Sequence, residues 1–313
     1  MIAALSELDF TTLVGAPRVM VGIPALNEAR FIGSVVLQAK RFADLVVVVD
    51  DGSTDDTALI AEQAGAVVVG HQTNQGKGEA LNTLFQAARR YRAGTLVLLD
   101  GDGQHHTPEI LSLLRPIQTG EADIVIGSRH LNGNRGTPGV RYGGQRLITW
   151  LTNRTSGVDV TDSQSGFRAF SRAAIERLTF IGRGFSVESE MQFLASEHGL
   201  RLREVAISTV YADPPKRNVF QHGLGVLNGV LQLVERARPL LFFGVPGLLL
   251  LLAGLGIGAY VVQIYQRVQS LAVGYALISL LLSVVGLLGL STALILHAIA
   301  GYFADLRHHL DSR

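Results

Sequence analysis

The 313-residue chain contains no cysteine, which excludes disulfides, thiolate metal sites and a cysteine nucleophile while leaving the compartment open. Charged residues make up only 17% of it, and 27 Lys+Arg against 26 Asp+Glu leave a formal net charge of +1. No global field therefore points to nucleic acid. Charge is also missing locally. No charged side chain occurs from Leu240 to Gln266, nor from Val268 to Ala304. Each run exceeds the roughly 20 residues a helix needs to cross a bilayer, and together they explain the high mean hydropathy of +0.30. Met1–Leu13, with Glu7 and Asp9, lacks the basic start and long apolar core of a signal peptide.

What is present before Val210 is an alternation of strand-like and helix-like segments, which favours a mostly parallel sheet covered by helices. Val19–Ile23 reads as a first strand and Glu28–Arg41 as its helix. Leu45–Val49 is a continuous apolar run suited to a strand buried on both faces. Ala66–Val69, Thr95–Leu99 and Ile124–Ile126 read as further strands, and Lys77–Tyr91 as a helix. After Tyr211 the character changes. Asp213-Pro214-Pro215-Lys216-Arg217 is a stiff basic linker, and Phe220, Leu224, Leu227, Leu231 and Val234 recur at helical spacing; an ordinary core-facing helix fits this, and the position just before a hydrophobic tract favours an interfacial membrane helix.

The two uncharged runs predict a helical hairpin closed by a polar loop at Gln263–Ser270. Gly254, Gly256 and Gly258 in the first helix, and Gly286 and Gly289 in the second, would allow close approach. Basic residues flank the pair on the outside: Lys216, Arg217, Arg236 and Arg238 before it, Arg307 and Arg313 after it. The positive-inside rule then places both termini and the α/β domain in the cytoplasm.

Chemistry concentrates where strands end. In open α/β sheets ligands bind beyond the carboxyl ends of the strands, and three such ends are polar here. They are Pro24-Ala25-Leu26-Asn27-Glu28, the Asp50–Thr57 segment, and Asp100-Gly101-Asp102-Gly103-Gln104-His105. In the second, Ser53 or Thr54 reads as a helix cap with Asp55 and Asp56 in the first turn. That leaves Asp50 and Asp51, which suit a ribose hydroxyl or a nucleobase imide. Asp-x-Asp at a strand end suits a hard divalent cation, which takes one or two carboxylates plus substrate phosphates. A polar turn with self-bonded aspartates explains the same letters. His105 and His106 are weaker metal ligands for such a cation. Asn74-Gln75-Gly76-Lys77-Gly78 lacks P-loop spacing and fits a helix N-terminus beside a nucleotide. Glu188 and Glu190, on a helix, are either solvated or in contact with a sugar.

In combination, Pro24-x-x-Asn27-Glu28, Val49-Asp50-Asp51-Gly52-Ser53-Thr54-Asp55 and Asp100-Gly101-Asp102-x-Gln104-His105 resemble the inverting family 2 glycosyltransferases. Gly127-Ser128-Arg129 and Asp162-x-x-Ser165-Gly166-Phe167-Arg168 extend the likeness over about Val19 to Tyr211. Within that family the chain resembles the polyprenyl-phosphate (dolichol-phosphate) enzymes, such as dolichol-phosphate mannose synthase. The resemblance implies a GT-A-type, Rossmann-like α/β fold. It implies a catalytic domain at 1–212, to which the sequence pattern adds a basic linker and interfacial helix at 213–238 and transmembrane helices at about 240–266 and 270–303 followed by a short cytoplasmic tail. It implies nucleotide-sugar binding by Pro24, Leu26, Glu28, Asp50, Asp51, Lys77, Asp100, Lys216 and Arg217. Asp102 and Gln104 fall at the positions that hold Mg²⁺ or Mn²⁺. Arg129, Arg146 and Thr149 fall where the acceptor phosphate is held, the rival role for Arg129 being to pair a helix carboxylate, and Asp100, Asp102, Arg129 and Asp162 form the catalytic set.

The reaction so implied is attack of a lipid-phosphate oxygen on the anomeric carbon of a nucleotide sugar, with inversion. The expected partners are a nucleotide sugar, polyprenyl or dolichyl phosphate and the bilayer, without nucleic acid; a homo-oligomer is compatible. A UDP-sugar is favoured over GDP-mannose. A saccharide acceptor would require a carboxylate base, for which Asp162 is the spare candidate. The competing readings are a membrane glycosyltransferase acting on a saccharide and a non-catalytic nucleotide-sugar-binding membrane protein. Against a polysaccharide synthase, Gln145-Arg146-Leu147-Ile148-Thr149-Trp150 carries the letters of its Gln-x-x-Arg-Trp motif in the wrong arrangement. Against a dinucleotide oxidoreductase, no Gly-x-Gly-x-x-Gly follows the first strand.

Overall fold

The computed structural model describes residues 16, 18–131, 139–180, 187–208 and 239–311. Seven strands form one sheet: β1 (Val19–Ala25), β2 (Leu45–Asp50), β3 (Val67–Gly70), β4 (Thr95–Leu98), β5 (Ile124–Ser128), β6 (Arg168–Ser171) and β7 (Leu202–Ala206). Their order is β3-β2-β1-β4-β6-β5-β7. All pairs are parallel except those of β6, which runs antiparallel to both β4 and β5. The mostly parallel sheet expected from the alternating pattern is present. β6 and β7 were not foreseen: β6 is four residues opening on an arginine, and β7 (Leu-Arg-Glu-Val-Ala) carries two charges in five residues.

β2 shows why this sheet sits between two layers. All six of its residues are buried, and alternate side chains point to opposite faces. Val47 and Val49 join Leu84, Phe85, Phe170 and Phe180 on one side. Val46 and Val48 join Ile32, Val36, Ala61, Ile110 and Leu113 on the other. Phe85 packs edge-on against both Phe170 and Phe180 with ring centroids 5.0 Å apart. The flanking helices are α1 (Ile32–Ala39), α2 (Thr57–Gln63), α3 (Lys77–Arg90), α4 (Ile110–Gln118), α5 (Gly139–Ser156), α6 (Arg172–Arg177) and α7 (Val187–Glu197). The helix expected at Glu28–Arg41 is shorter at both ends. Asn27 takes a left-handed φ of 56°, and Glu28 is used as a turn whose carbonyl accepts from Phe31 and Ile32.

The C-terminal unit, taken by itself, is a helical pair. A π-turn at Leu240–Gly244 enters α8 (Val245–Val268), and α9 spans Val273–Asp311. Leu240–Val268 and Val273–Ile299 are long and apolar enough to cross a membrane. The connection is tighter than the expected loop at Gln263–Ser270, because α8 continues through Arg267 and stops at Gln269, whose φ of 53° breaks it. Small residues make the seam. A Cβ on Gly247 would lie 2.9 Å from the Gly286 carbonyl oxygen, and one on Gly286 would collide with the Leu251 backbone. Ser279 donates to the Gly254 carbonyl at 2.7 Å. Gly254 and Gly258 face this seam as expected. Gly256, two residues from each, lies on the opposite face with nothing near its Cβ position, since helical neighbours are three or four apart. Gly286→Val is expected to part the helices and lower the thermal stability of the detergent-solubilised protein by several degrees, whereas Gly256→Val leaves it unchanged.

The expected linker and interfacial helix at 213–238, with Lys216, Arg217, Arg236 and Arg238, lie outside the described residues. So does the segment Met1–Leu13.

Candidate active site

β2, β1 and β4 are neighbours, so their three carboxyl ends open onto one edge. The loops after β1 and β2 are stitched together. Asn27 donates its amide to Ser53 Oγ at 2.9 Å and accepts from the Thr54 amide at 2.9 Å. The Glu28 amide donates to Thr57 Oγ1 at 2.8 Å. Ser53 and Thr54 are therefore cross-links between loops, not helix caps. The first amide of α2 is taken by Asp55 instead, which accepts from the Thr57 amide at 3.0 Å. Asp50 accepts from the hydroxyl and the amide of Ser53.

Asp51 is committed inside the protein. Its carboxylate accepts from His71 Nδ1 at 2.7 Å, from the Gln75 amide at 2.9 Å and from the Gly76 amide at 2.8 Å. It thereby occupies donors at the N-terminus of α3, where helices leave amides unpaired. The segment 74–78 directs these amides at Asp51 rather than at a ligand, and Asp51 acts as its brace. Gly52 permits the approach: its φ is +77°, and a Cβ there would lie 2.8 Å from the Asn74 nitrogen.

At the end of β4 lies a buried charge cluster. Lys77 Nζ, from the first turn of α3, sits 2.9 Å from Asp100 Oδ1 and 2.7 Å from Glu188 Oε1 on α7. Burial opposes the charge on Lys77, but the two carboxylates outweigh it and raise the ammonium above its ordinary pKa. Burial likewise opposes ionisation of Asp100. The Lys77 charge and His105, whose Nε2 lies 3.5 Å away, hold that carboxyl well below the usual range. Gly166 makes room for it, since a Cβ there would lie 2.5 Å from Asp100 Oδ2. Among the described residues Glu188 Oε2 is buried without a hydrogen-bond partner.

Asp102 differs from Asp100. Its Oδ1 accepts from the Gln104 amide at 3.0 Å. Burial, and then the charge of Asp100, push its carboxyl above the ordinary value. A carboxylate so strained as an anion is relieved by a cation, and oxygen donors from Asp102 and Gln104 match the hard ligands Mg²⁺ and Mn²⁺ take. These residues fit such an ion. Among the described residues no cluster of three or more His, Cys, Asp or Glu side chains is positioned to hold a metal ion.

The far wall is built by β5, β7 and the segment before β6. Arg129, at the end of β5, makes a two-pronged pair with Asp162: Nε to Oδ2 at 2.6 Å and Nη2 to Oδ1 at 2.7 Å. Glu204 on β7 accepts from the amides of Thr161 and Asp162. Arg168 is wholly buried and donates to the carbonyls of Ser163, Ser165 and Glu188. Burial lowers its pKa to about 10, so it stays charged at neutral pH.

A family model, described as glycosyl transferase family 2, matches residues 20–179. The chain belongs to glycosyl transferase family 2. A UDP-N-acetylglucosamine–dolichyl-phosphate N-acetylglucosaminyltransferase of Methanococcus voltae is 31% identical over 61% of this chain and 85% of that one. The polyprenol monophosphomannose synthase of Mycolicibacterium smegmatis is 29% identical over 64% and 80%. Among solved structures, glucosyl-3-phosphoglycerate synthase from Mycobacterium tuberculosis, in complex with Mn²⁺, UDP and phosphoglyceric acid, superposes with a TM-score of 0.57. It is 25% identical and covers 70% of this chain and 78% of its own.

The glycosyltransferase fold brings Pro24, Lys77, Asp100, Gly166, Arg168 and Glu188 around one small cavity. Leu26 and Glu28 lie on the loop after β1, and Asp50 is the last residue of β2. Two expected acceptor contacts diverge. Arg146 is exposed, whereas the Thr149 hydroxyl is buried and bonded to Ser163 Oγ at 3.0 Å, so Thr149 braces the wall from behind. Asp162 is 1% exposed and tied to Arg129, which removes it as a free base. Glu188 and Gly166 carry more of the site than their sequence context assigned. Gly166 was visible as part of Ser-Gly-Phe-Arg, and Glu188 as a helix carboxylate either solvated or in contact with a sugar; its pairing with Lys77 was not visible.

Burial opposes ionisation of Asp162, but the hydrogen bonds and charge of Arg129 prevail and hold its pKa below the ordinary value. Such a group stabilises the fold above its unfolded pKa of roughly 3.9, and that stability is lost as pH falls toward the lower folded value. Asp162→Asn is therefore expected to melt earlier than wild type at neutral pH, with the gap narrowing below about pH 4. Thermal melts across pH check this.

Proposed function

We propose that this glycosyltransferase moves a hexose, with inversion, from a nucleotide sugar to polyprenyl or dolichyl phosphate at a membrane. A UDP-sugar is the favoured donor. The observation that carries the reading is the state of Asp162. A sugar-hydroxyl acceptor needs a carboxylate base, and this one is buried, paired with Arg129 and held ionised. A phosphate monoester has its second pKa near ~6 and attacks without a base. Its oxygen forms the bond to the anomeric carbon while the bond to the nucleoside diphosphate breaks and the electron pair leaves with the diphosphate.

The residues divide the work. The carboxyl ends of β1 and β2 and the stitched loops beyond them, with Pro24, Leu26, Glu28 and Asp50, seat the nucleoside, with Asp51 bracing the start of α3. Asp100, locked between Lys77 and Gly166, orients the donor, and Lys77 brings positive charge beside the departing diphosphate. Lys216 and Arg217 add to it. Arg129, aimed by Asp162, and Arg146 attract the acceptor phosphate. Asp102 and Gln104 would hold Mg²⁺ or Mn²⁺, which offsets the negative charge developing on the leaving diphosphate. The two apolar helices span the bilayer, with the catalytic domain and both termini in the cytoplasm.

The test supplies purified protein with polyprenyl phosphate, Mg²⁺ or Mn²⁺ and a panel of radiolabelled nucleotide sugars. Metal-dependent label in the lipid phase is the expected result. Label confined to oligosaccharide or polymer would reject the lipid-phosphate acceptor.

A further inference from the structure

One of the two charges that disguise β7 serves the far wall of the site. Glu204 turns its carboxylate to a single dipeptide. Its Oε2 accepts from the Thr161 amide at 2.8 Å, and its Oε1 from the Thr161 hydroxyl at 3.0 Å and the Asp162 amide at 3.1 Å. An ionised carboxylate only accepts, whereas a hydroxyl has one proton to give and can accept as well. The Thr161 proton therefore goes to Glu204. Ser128 Oγ, 2.6 Å from Thr161 Oγ1, must then donate to Thr161. Ser128 Oγ in turn accepts from the His130 amide at 3.1 Å. The chain of bonds has one direction, from the His130 amide through Ser128 and Thr161 to Glu204. Its members enclose an ion pair. Ser128 and His130 flank Arg129, and Thr161 precedes Asp162, whose carboxylate grips the Arg129 guanidinium and also accepts from the Arg129 amide at 3.2 Å. Ser128 and Asp162 are buried, where a satisfied polar network rigidifies what it joins. The donors on Glu204 are all neutral, so its charge acts on orientation, and such charge-assisted bonds are roughly twice as strong as neutral ones. Glu204 stands opposite Ile126 in the parallel β5–β7 pair, so the anchor belongs to the sheet and not to a loop.

We propose that Glu204 is a positioning residue for the acceptor: through Thr161 and Ser128 it fixes the Arg129–Asp162 pair in the orientation that receives the acceptor phosphate. It acts through Arg129 and not on the substrate. The inference rests on the acceptor-phosphate reading above and deepens it, by tracing the aim of the phosphate-binding arginine to a carboxylate two strands' ends away from the donor. A guanidinium meets phosphate as a rigid planar fork, so a tilt of the pair weakens the contact although the charges are unchanged. Misplacement by about 1 Å is enough to be felt in a site of this kind. Among the described residues, those of β1, β2 and β4 that face the nucleotide have no bond to this chain. Loss of Glu204 therefore falls on the acceptor side.

Two measurements on the full-length protein test this, and the first needs no substrate. Glu204→Ala, Arg129→Ala and the double variant are unfolded by denaturant in detergent. A shared network makes the losses non-additive, so Glu204→Ala is expected to shift the midpoint less in the Arg129→Ala background than in wild type. Additive losses would overturn the proposal. The second measurement uses polyprenyl phosphate with radiolabelled UDP-glucose or UDP-N-acetylglucosamine. Glu204→Ala is expected to raise the acceptor KM about tenfold, with the donor KM and kcat near wild type. Glu204→Gln keeps one carbonyl oxygen for Thr161 and is expected to fall between the two. Should Glu204→Ala not fold, Glu204→Gln carries both measurements with smaller shifts. A residue that only supports the fold would raise both KM values together or neither, and either result would overturn the positioning role. Wild type that transfers no sugar to polyprenyl phosphate would reject the lipid-phosphate acceptor alone, and the unfolding cycle then decides whether Glu204 holds Arg129.

Discussion

Asp102→Ala is expected to reduce sugar transfer by a factor on the order of 10³ or more while leaving expression and thermal stability near wild type. The asymmetry between the two aspartates of Asp100-Gly101-Asp102 is the reason. Asp100 is fastened by Lys77 and framed by Gly166, so it belongs to the architecture of the site. Asp102 receives one backbone hydrogen bond, and its carboxylate is disfavoured as an anion by burial and by the neighbouring charge. Removing it relieves repulsion, so the fold loses little. Turnover loses the oxygen donor that attracts a cation to the diphosphate. Near-normal activity in steady-state assays with saturating Mn²⁺ would remove that role from Asp102.

Lys77→Met is expected to act on the fold as well as on turnover. The substitution keeps the length of the chain but leaves Asp100 and Glu188 facing each other without their shared cation. Breaking a buried ion pair by removing one partner costs roughly 3–5 kcal/mol. Because Asp100 keeps 29% of its side chain open, the low end of about 3 kcal/mol applies. Adding Glu188→Gln to Lys77→Met removes one of the two uncompensated charges, so the double variant is expected to be more stable than Lys77→Met alone. Denaturant unfolding of the three proteins measures this. Additive losses would mean that Glu188 and Lys77 are not coupled.

Legibility followed the range of the interaction. β2 was evident because a strand buried on both faces must be apolar throughout, and the two apolar helices because nothing else explains so long an absence of charge. Asp100 and Asp102 were evident as a pair at a strand end. Their division of labour, Asp100 toward the donor and Asp102 toward the metal, came with the family resemblance; the fastening of Asp100 to Lys77, 23 residues away, did not, because no local pattern records it. Asp51 looked like a ligand contact until the Gln75 and Gly76 amides were found on it. Arg129 and Asp162 were each assigned chemistry separately, and their mutual pairing across 33 residues leaves no local pattern. α5, of which Arg146 and Thr149 alone were read, as acceptor contacts, misled at Thr149 for a related reason. Its threonines face inward because hydroxyls of the neighbouring segments await them, and no helical periodicity in one segment discloses its neighbours.

The antiparallel placement of β6 has a consequence in time. β1 to β4 assemble from consecutive strand–helix–strand units, so that half of the sheet is complete in sequence by Leu98. β5 cannot join it directly, because β6 lies between them, and β6 arrives only at Arg168. Domains fold as they leave the ribosome, N-terminal parts first, and pairings that close long loops come late. The half of the sheet that ends in Asp50 and Asp100 is therefore formed while the wall of Arg129, Asp162 and Glu188 is still being made. The last strand among the described residues, β7, closes at Ala206, ahead of the apolar helices that start at Leu240. Translation order alone thus gives this enzyme its seven-stranded sheet before its two apolar helices emerge.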